Sequence, residues 1–183
     1  MRLFIALDIT EDIRERACEI IEDLKSTGCD AKFTEKENLH MTLKFLGEVR
    51  EEDVKAIENA TENAIKGIEP FMLSVEGMGY FGNPKNIQTL WINTKEGREV
   101  LMKLAKRLNF ALDHIRHEGR EPKPHLTLGR IRSGRNRDKL LEAIDKNKDL
   151  KLGNMEVNEI KLKKSVLSNE GPTYTDLKAF TLR

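Results

Sequence analysis

Asn38-Leu39-His40-Met41-Thr42-Leu43-Lys44-Phe45-Leu46-Gly47 returns in the second half of the chain as Pro124-His125-Leu126-Thr127-Leu128-Gly129-Arg130. Two of the chain's four histidines are thus followed by x-Thr-Leu, a coincidence expected on the order of a few times in ten thousand. Both stretches alternate with the period of a strand. His40 and Thr42 share one face while Leu39, Met41, Leu43 and Phe45 share the other; His125 and Thr127 stand apart from Leu126 and Leu128 in the same way. Pro122 and Pro124 bias the approach to the second stretch toward extended chain. Each copy reads as a strand that packs through its leucines and turns an imidazole and a hydroxyl outward.

Around these two strands the chain alternates strands and amphipathic helices. Met1 to Asp8 reads as a strand, and Thr10 caps a helix with apolar positions Ile13, Ala17, Ile20, Ile21 and Leu24, ending at Gly28. A second helix runs from about Glu51 to Lys66, and Gly67 and Pro70 stop it. Phe71 to Glu76 and Ile87 to Thr94 read as neighbouring strands across a glycine-rich turn. Gly97 to Leu112 is a third helix, and Asn136 caps a short fourth. Glu156 to Leu167 and Tyr174 to Leu182 close the chain as strands. Several connections are too short for helical crossovers, which predicts an α+β fold of mostly antiparallel sheets with helices outside.

The chain's 183 residues, 38% hydrophobic and 34% charged, predict one domain over residues 1–183 with a dense core. Thirty-two basic against 31 acidic residues argue against a protein that coats long nucleic acid, duplex DNA included. The longest apolar run near the start, Leu3 to Leu7, is too short for a signal peptide or membrane span, so a soluble, cytoplasmic protein is expected. Cys18 and Cys29 lack metal or redox spacing and read as reduced bystanders.

An approximate two-fold axis relating the halves would lay the motif strands side by side and bring two imidazoles and two hydroxyls into one cleft. Those groups suit a phosphodiester. Hydrolysis needs a base for water and an acid for the departing sugar oxygen, and an imidazole of ordinary pKa about 6.5 serves either role. Thr42 and Thr127 can donate to the non-bridging oxygens without a metal. In-line attack sets the imidazoles across the phosphate at on the order of 6 to 9 Å.

These residues bring a resemblance into view. The chain resembles the two-histidine phosphoesterase superfamily, specifically the LigT-like RNA 2′,3′-cyclic phosphodiesterases once named 2′-5′ RNA ligases. The likeness extends to Arg2-Leu3-Phe4-Ile5-Ala6-Leu7, Ser165-Val166-Leu167 and Gly171-Pro172-Thr173-Tyr174. It implies a bilobal α+β fold, two similar lobes in one catalytic domain, with the motif strands lining a central cleft. It implies metal-independent opening of an RNA terminal 2′,3′-cyclic phosphate to a 2′-phosphate, and reversible 2′-5′ joining in some relatives. No cofactor is implied; the partners implied are an RNA 3′ end or a small cyclic nucleotide. On this resemblance His125 is the base and His40 the acid, while near symmetry leaves the swap open. Arg130 matches an arginine that follows the second motif in the family and would clamp phosphate. In a regular strand it falls on the face opposite His125, and it reaches the phosphate only if the strand ends, twists or bulges. Lys44 shares the His40 face by the same counting and is a second candidate to line the cleft. Phe33 stands where relatives usually carry tryptophan, and Gly129 where alanine is common, an exchange expected to be harmless.

Other signals are weaker. Gly77-Met78-Gly79-Tyr80-Phe81-Gly82 fits a dinucleotide fingerprint by letter, but Pro84 and a strand follow where that motif needs a helix. His114 and His117 have i, i+3 spacing without further metal ligands nearby. Arg130, Arg132, Arg135 and Arg137 form a local basic stretch suited to an RNA backbone. Tyr80, Phe81, Trp91 and Tyr174 are candidates to stack on a base. Competing readings are a non-catalytic binder of RNA-end phosphate, a metallo-phosphoesterase with the histidines as ligands, and a phosphodiesterase for cyclic phosphate on ADP-ribose or for 2′-5′ linkages.

Overall fold

The computed structural model describes residues 1–169 and 171–183. Strands β1 (Arg2–Asp8), β2 (Ala31–Phe33), β3 (His40–Glu48), β4 (Phe71–Asn83), β5 (Asn86–Thr94), β6 (Leu126–Ile131), β7 (Lys151–Val157), β8 (Glu159–Ser168) and β9 (Gly171–Thr181) alternate with helices α1 (Glu11–Ser26), α2 (Val54–Ile65), α3 (Arg98–Ala111) and α4 (Arg137–Lys146). The sheet order is β7-β4-β5-β6-β3-β1-β8-β9, with β2 pairing β6, and every pairing is antiparallel. The expected α+β class with antiparallel sheets is what forms. The two sheets, β3-β1-β8-β9 and β7-β4-β5-β6, are fused into one by a single backbone pair, Met41 with Leu126.

Strand order reads the same outward from that pair, with β3 matching β6, β1 matching β5 and β8 matching β4. The covering helices interlock the halves. Helix α1 follows β1 in the chain yet packs on β7 and α4, while α3 follows β5 and packs on β3 and α2. Ile13, Ala17 and Leu24 of α1 and Leu101, Leu104 and Leu108 of α3 are fully buried beneath the sheet, a helical stripe of the expected period. With helices on one face, the other face of the sheet is left for the site.

Three local readings are corrected. The glycine-rich run is not a turn: β4 continues through it to Asn83, with a register shift between Val75 and Met78 where Gly77 adopts φ 86°. It ends in a tight hairpin at Pro84-Lys85 rather than a nucleotide-binding helix. Glu156 to Leu167 is not one strand but the end of β7 and most of β8, which part at Asn158. Thr10 and Asn136 stand just before α1 and α4, but neither makes the expected side-chain cap. No helix among the described residues is long and apolar enough to cross a membrane.

Candidate active site

Because Met41 and Leu126 are antiparallel partners, their flanking residues turn to the opposite face. The register brings His40 toward Thr127 and Thr42 toward His125. Diagonal neighbours in such a pair stand about 7–8 Å apart, which is the relation between the two histidines. On this face a cleft of about 430 Å³ is lined by His40, Thr42, Thr127 and Arg130, while His125 stands on the same face outside its lining.

The two imidazoles are held alike. His40 Nδ1 lies 2.7 Å from the Asn38 carbonyl oxygen and His125 Nδ1 lies 2.5 Å from that of Lys123. A carbonyl can only accept, so each Nδ1 carries the hydrogen and each neutral ring presents a bare Nε2. Thr42 Oγ1 donates to His40 Nε2 at 2.9 Å. His125 Nε2 has no protein partner among the described residues. Aromatic rings pack around both: Phe4 and Tyr174 lie 5.0 and 5.2 Å from the His40 ring, and Phe81 and Trp91 lie 4.9 and 6.3 Å from that of His125. Burial among them pushes both imidazole pKa values below the ordinary 6.5, against the raising effect of the Asn38 and Lys123 carbonyls.

Beyond the hydroxyls both strands carry a bulge at the same place. Thr42 pairs with Ala6 and Lys44 with Ile5, so Leu43 is an extra residue; Thr127 pairs with Trp91 and Gly129 with Leu90, so Leu128 is another. Each extra residue reverses the alternation that follows. Arg130 therefore turns into the cleft, where its guanidinium approaches Thr89 Oγ1 at 3.5 Å. The condition set for Arg130 is met by this bulge. Lys44 is corrected in the opposite sense. Its side chain is fully buried on the helix side, bonded to Asn109 Oδ1 at 2.5 Å and the Arg116 carbonyl at 2.7 Å, with Glu118 at 3.6 Å. It holds α3 and the following loop to β3 and does not line the cleft. Phe45, assigned to the core by simple alternation, lines the cleft instead, between the guanidiniums of Arg2 and Arg116.

A family model described as LigT like Phosphoesterase matches residues 7–91 and again 92–174, the halves that carry the two motifs. The chain belongs to the LigT-like phosphoesterase family. It is 41% identical to the RNA 2′,3′-cyclic phosphodiesterase of Methanothermobacter thermautotrophicus, over 100% of this chain and 99% of that one. It is 39% identical to the protein of the same name from Methanocaldococcus jannaschii, over 97% and 99%. Among solved structures it resembles TT0787 of Thermus thermophilus (TM-score 0.82, 26% identity, 100% and 98% covered) and E. coli LigT in apo form (0.78, 25%, 99% and 96%).

Several residues of this LigT-like site escape a reading by motif. Arg14, on α1, spends its guanidinium on the carbonyls of Lys36 (2.7 Å), Leu39 (3.2 Å) and Ile9 (3.3 Å), fixing the entry to β3 just before His40. Asn38 is buried and donates to the Pro172 carbonyl at 2.9 Å, which ties the His40 acceptor to β9. Asp8, Lys161, Lys163 and Asp176 form a closed ion cluster beside His40, with contacts of 2.6 to 3.0 Å. None belongs to a motif; only their strand parity with Ala6 and Phe4 places them on the cleft face. Tyr174 reaches the cleft, as do Phe33 and Pro172, while Phe81 and Trp91 instead wall His125. Gly129 lies against Phe33, where a Cβ would stand 3.0 Å from the ring and 3.1 Å from the Lys32 carbonyl, so an alanine there requires these neighbours to give by a few tenths of an ångström. His117 pairs with Asp113 at 2.9 Å, and no group of three or more metal-ligating side chains is found among the described residues.

Proposed function

We propose that this protein hydrolyses the terminal 2′,3′-cyclic phosphate of RNA, or of a small cyclic nucleotide, to a 2′-phosphate. The observation that supports the reading most is the Met41–Leu126 pair, whose antiparallel register sets His40 and Thr42 against Thr127 and His125 on one face of the sheet. The names of the full-length relatives support it. His125 Nε2, without a hydrogen-bond partner among the described residues, takes a proton from water as its oxygen bonds to phosphorus. The bond from phosphorus to O3′ breaks on the opposite side, and His40, which enters this step as the imidazolium, gives its Nε2 proton to O3′, leaving a 3′-hydroxyl and a 2′-phosphate. Thr42, Thr127 and Arg130 meet the charge that grows on the non-bridging oxygens. No step calls on a metal. With an RNA 5′-hydroxyl in place of water, the same groups would join a 2′-5′ linkage.

The test is ring opening of 2′,3′-cyclic AMP, with the product identified by chromatography, for the wild type and for His40→Ala and His125→Ala. The expected result is 2′-AMP, chelator-insensitive turnover, and a loss of about 10²- to 10⁴-fold in each variant with the fold intact. An intact cyclic ester would mark a phosphate binder. A 3′-phosphate product, abolition by a chelator, or near-normal single variants would overturn the mechanism.

A further inference from the structure

Where β6 leaves the cleft, the same strand enters a second, smaller recess of about 90 Å³, lined by Lys85, Arg132, Arg135 and Arg137 over an apolar floor that includes Ile87 and Leu140. Among the described residues four cationic side chains and no acidic one line it, in a chain whose formal net charge is only +1. Lys85 comes from the β4–β5 hairpin, and the arginines from the segment between β6 and α4. The Arg137 guanidinium donates to the Lys85 carbonyl at 3.3 Å, locking the two loops together, and Asp138 approaches Arg137 only at 3.9 Å from an exposed position. Arg132, Arg135 and Lys85 are themselves exposed. The Arg132 backbone N–H donates to the Asp30 carbonyl at 2.8 Å, so the chain stays anchored one residue beyond the strand.

The recess follows the cleft along the chain. Arg130 lines the cleft and Arg132 lines the recess, and two residues of extended chain span about 6.6 Å. That step is comparable to the spacing of successive phosphates along a single RNA strand. On the neighbouring strand Thr89 meets Arg130 in the cleft, and Ile87, two residues back, floors the recess.

We infer that the recess is a second anion subsite, holding a backbone phosphodiester of the RNA strand upstream of the reacting end. It would distinguish an RNA terminus from a mononucleotide, because a mononucleotide has no phosphate to place there. The inference rests on the RNA-end reading above, and it is tested through binding so that the two stand or fall separately. The probe is a short fluorescent single-stranded RNA ending in a 2′-phosphate, titrated by anisotropy against the wild type and the double variant Arg132→Ala/Arg135→Ala. These two side chains are exposed, and circular dichroism reports the fold; Arg132→Gln/Arg135→Gln serves as a second variant if the first unfolds. Affinity for the RNA is expected to fall about tenfold, with a shallower salt dependence of log Kd, each lost phosphate contact removing about 0.7 from the slope. Hydrolysis of 2′,3′-cyclic AMP should remain within about twofold. RNA affinity unchanged by the substitutions, or RNA affinity and mononucleotide turnover falling by the same factor, would overturn the subsite. Loss of RNA affinity in a protein that opens no cyclic phosphate would retain it while removing the catalytic reading.

Discussion

Asp8 faces His40 across the β1–β3 ladder, and its carboxylate is clamped between Lys161 and Lys163 at 2.9 Å each. Burial works against ionisation of Asp8, yet the two lysines outweigh it and hold the carboxyl below its ordinary range. A fixed negative charge thus stands beside the imidazole assigned as the acid, partly offsetting Lys163, which disfavours the imidazolium. Asp8→Asn removes that offset and lowers the His40 pKa further. On the alkaline side of the optimum the rate follows the fraction of His40 that is protonated; on the acid side it follows the deprotonation of His125 alone. The variant should therefore lose kcat/KM more severely on the alkaline limb of its pH profile than on the acid limb. Equal losses across pH would make Asp8 a structural residue only.

Burial lowers both histidines below 6.5. The kcat/KM profile of the free enzyme peaks midway between its two apparent pKa values, so the maximum is expected on the acid side of 6.5. A bound phosphate anion favours the imidazolium form, so the kcat maximum should lie at higher pH than that of kcat/KM. Initial rates with 2′,3′-cyclic AMP from pH 4.5 to 9 check both. A kcat/KM maximum above pH 7 would contradict the burial of the imidazoles.

Lys44→Met leaves Asn109 Oδ1 and the Arg116 carbonyl without their buried donor. A cost of about 3 kcal/mol is expected, a fall in Tm of roughly 10 °C for a chain of this size. Because Lys44 lies behind the sheet, turnover of the folded variant at 20 °C should stay within about twofold. A large activity loss with unchanged Tm would return Lys44 to the cleft.

Gly79 lies beneath the Trp91 ring, where a Cβ would stand 2.4 Å from Cη2. Trp91 also packs on Phe81 and flanks His125, so Gly79→Ala must shift a ring that walls the base. The expected effect is a ten- to hundredfold fall in kcat, of the size that follows from misplacing a reacting group by about 1 Å. A variant with normal kcat would show that Trp91 does not position His125.

The duplicated motif made the essential geometry readable in advance, since strand parity alone set an imidazole and a hydroxyl together in each half. What parity could not foresee were the bulges at Leu43 and Leu128, because a leucine in a bulge looks like any other strand leucine. Those two residues decide that Arg130 and Phe45 enter the cleft and that Lys44 leaves it. Strand β7 merged with β8 in the reading because Asn158, their junction, is one residue without glycine or proline beside it. Arg14 acts through pairing with distant backbone, and Asp8 through ion pairs to Lys161 and Lys163 on a strand far away in the chain; no local pattern marks any of them.

The single Met41–Leu126 seam carries a corollary about symmetry. A copy of either motif strand paired with its own duplicate would already muster two imidazoles and two hydroxyls, as any isologous contact does. What one continuous polypeptide adds is inequality. At the equivalent positions after the bulges it sets Phe45, an apolar ring, on one side and Arg130, a fixed cation, on the other, so that a nearly symmetric anvil receives its ester in one orientation.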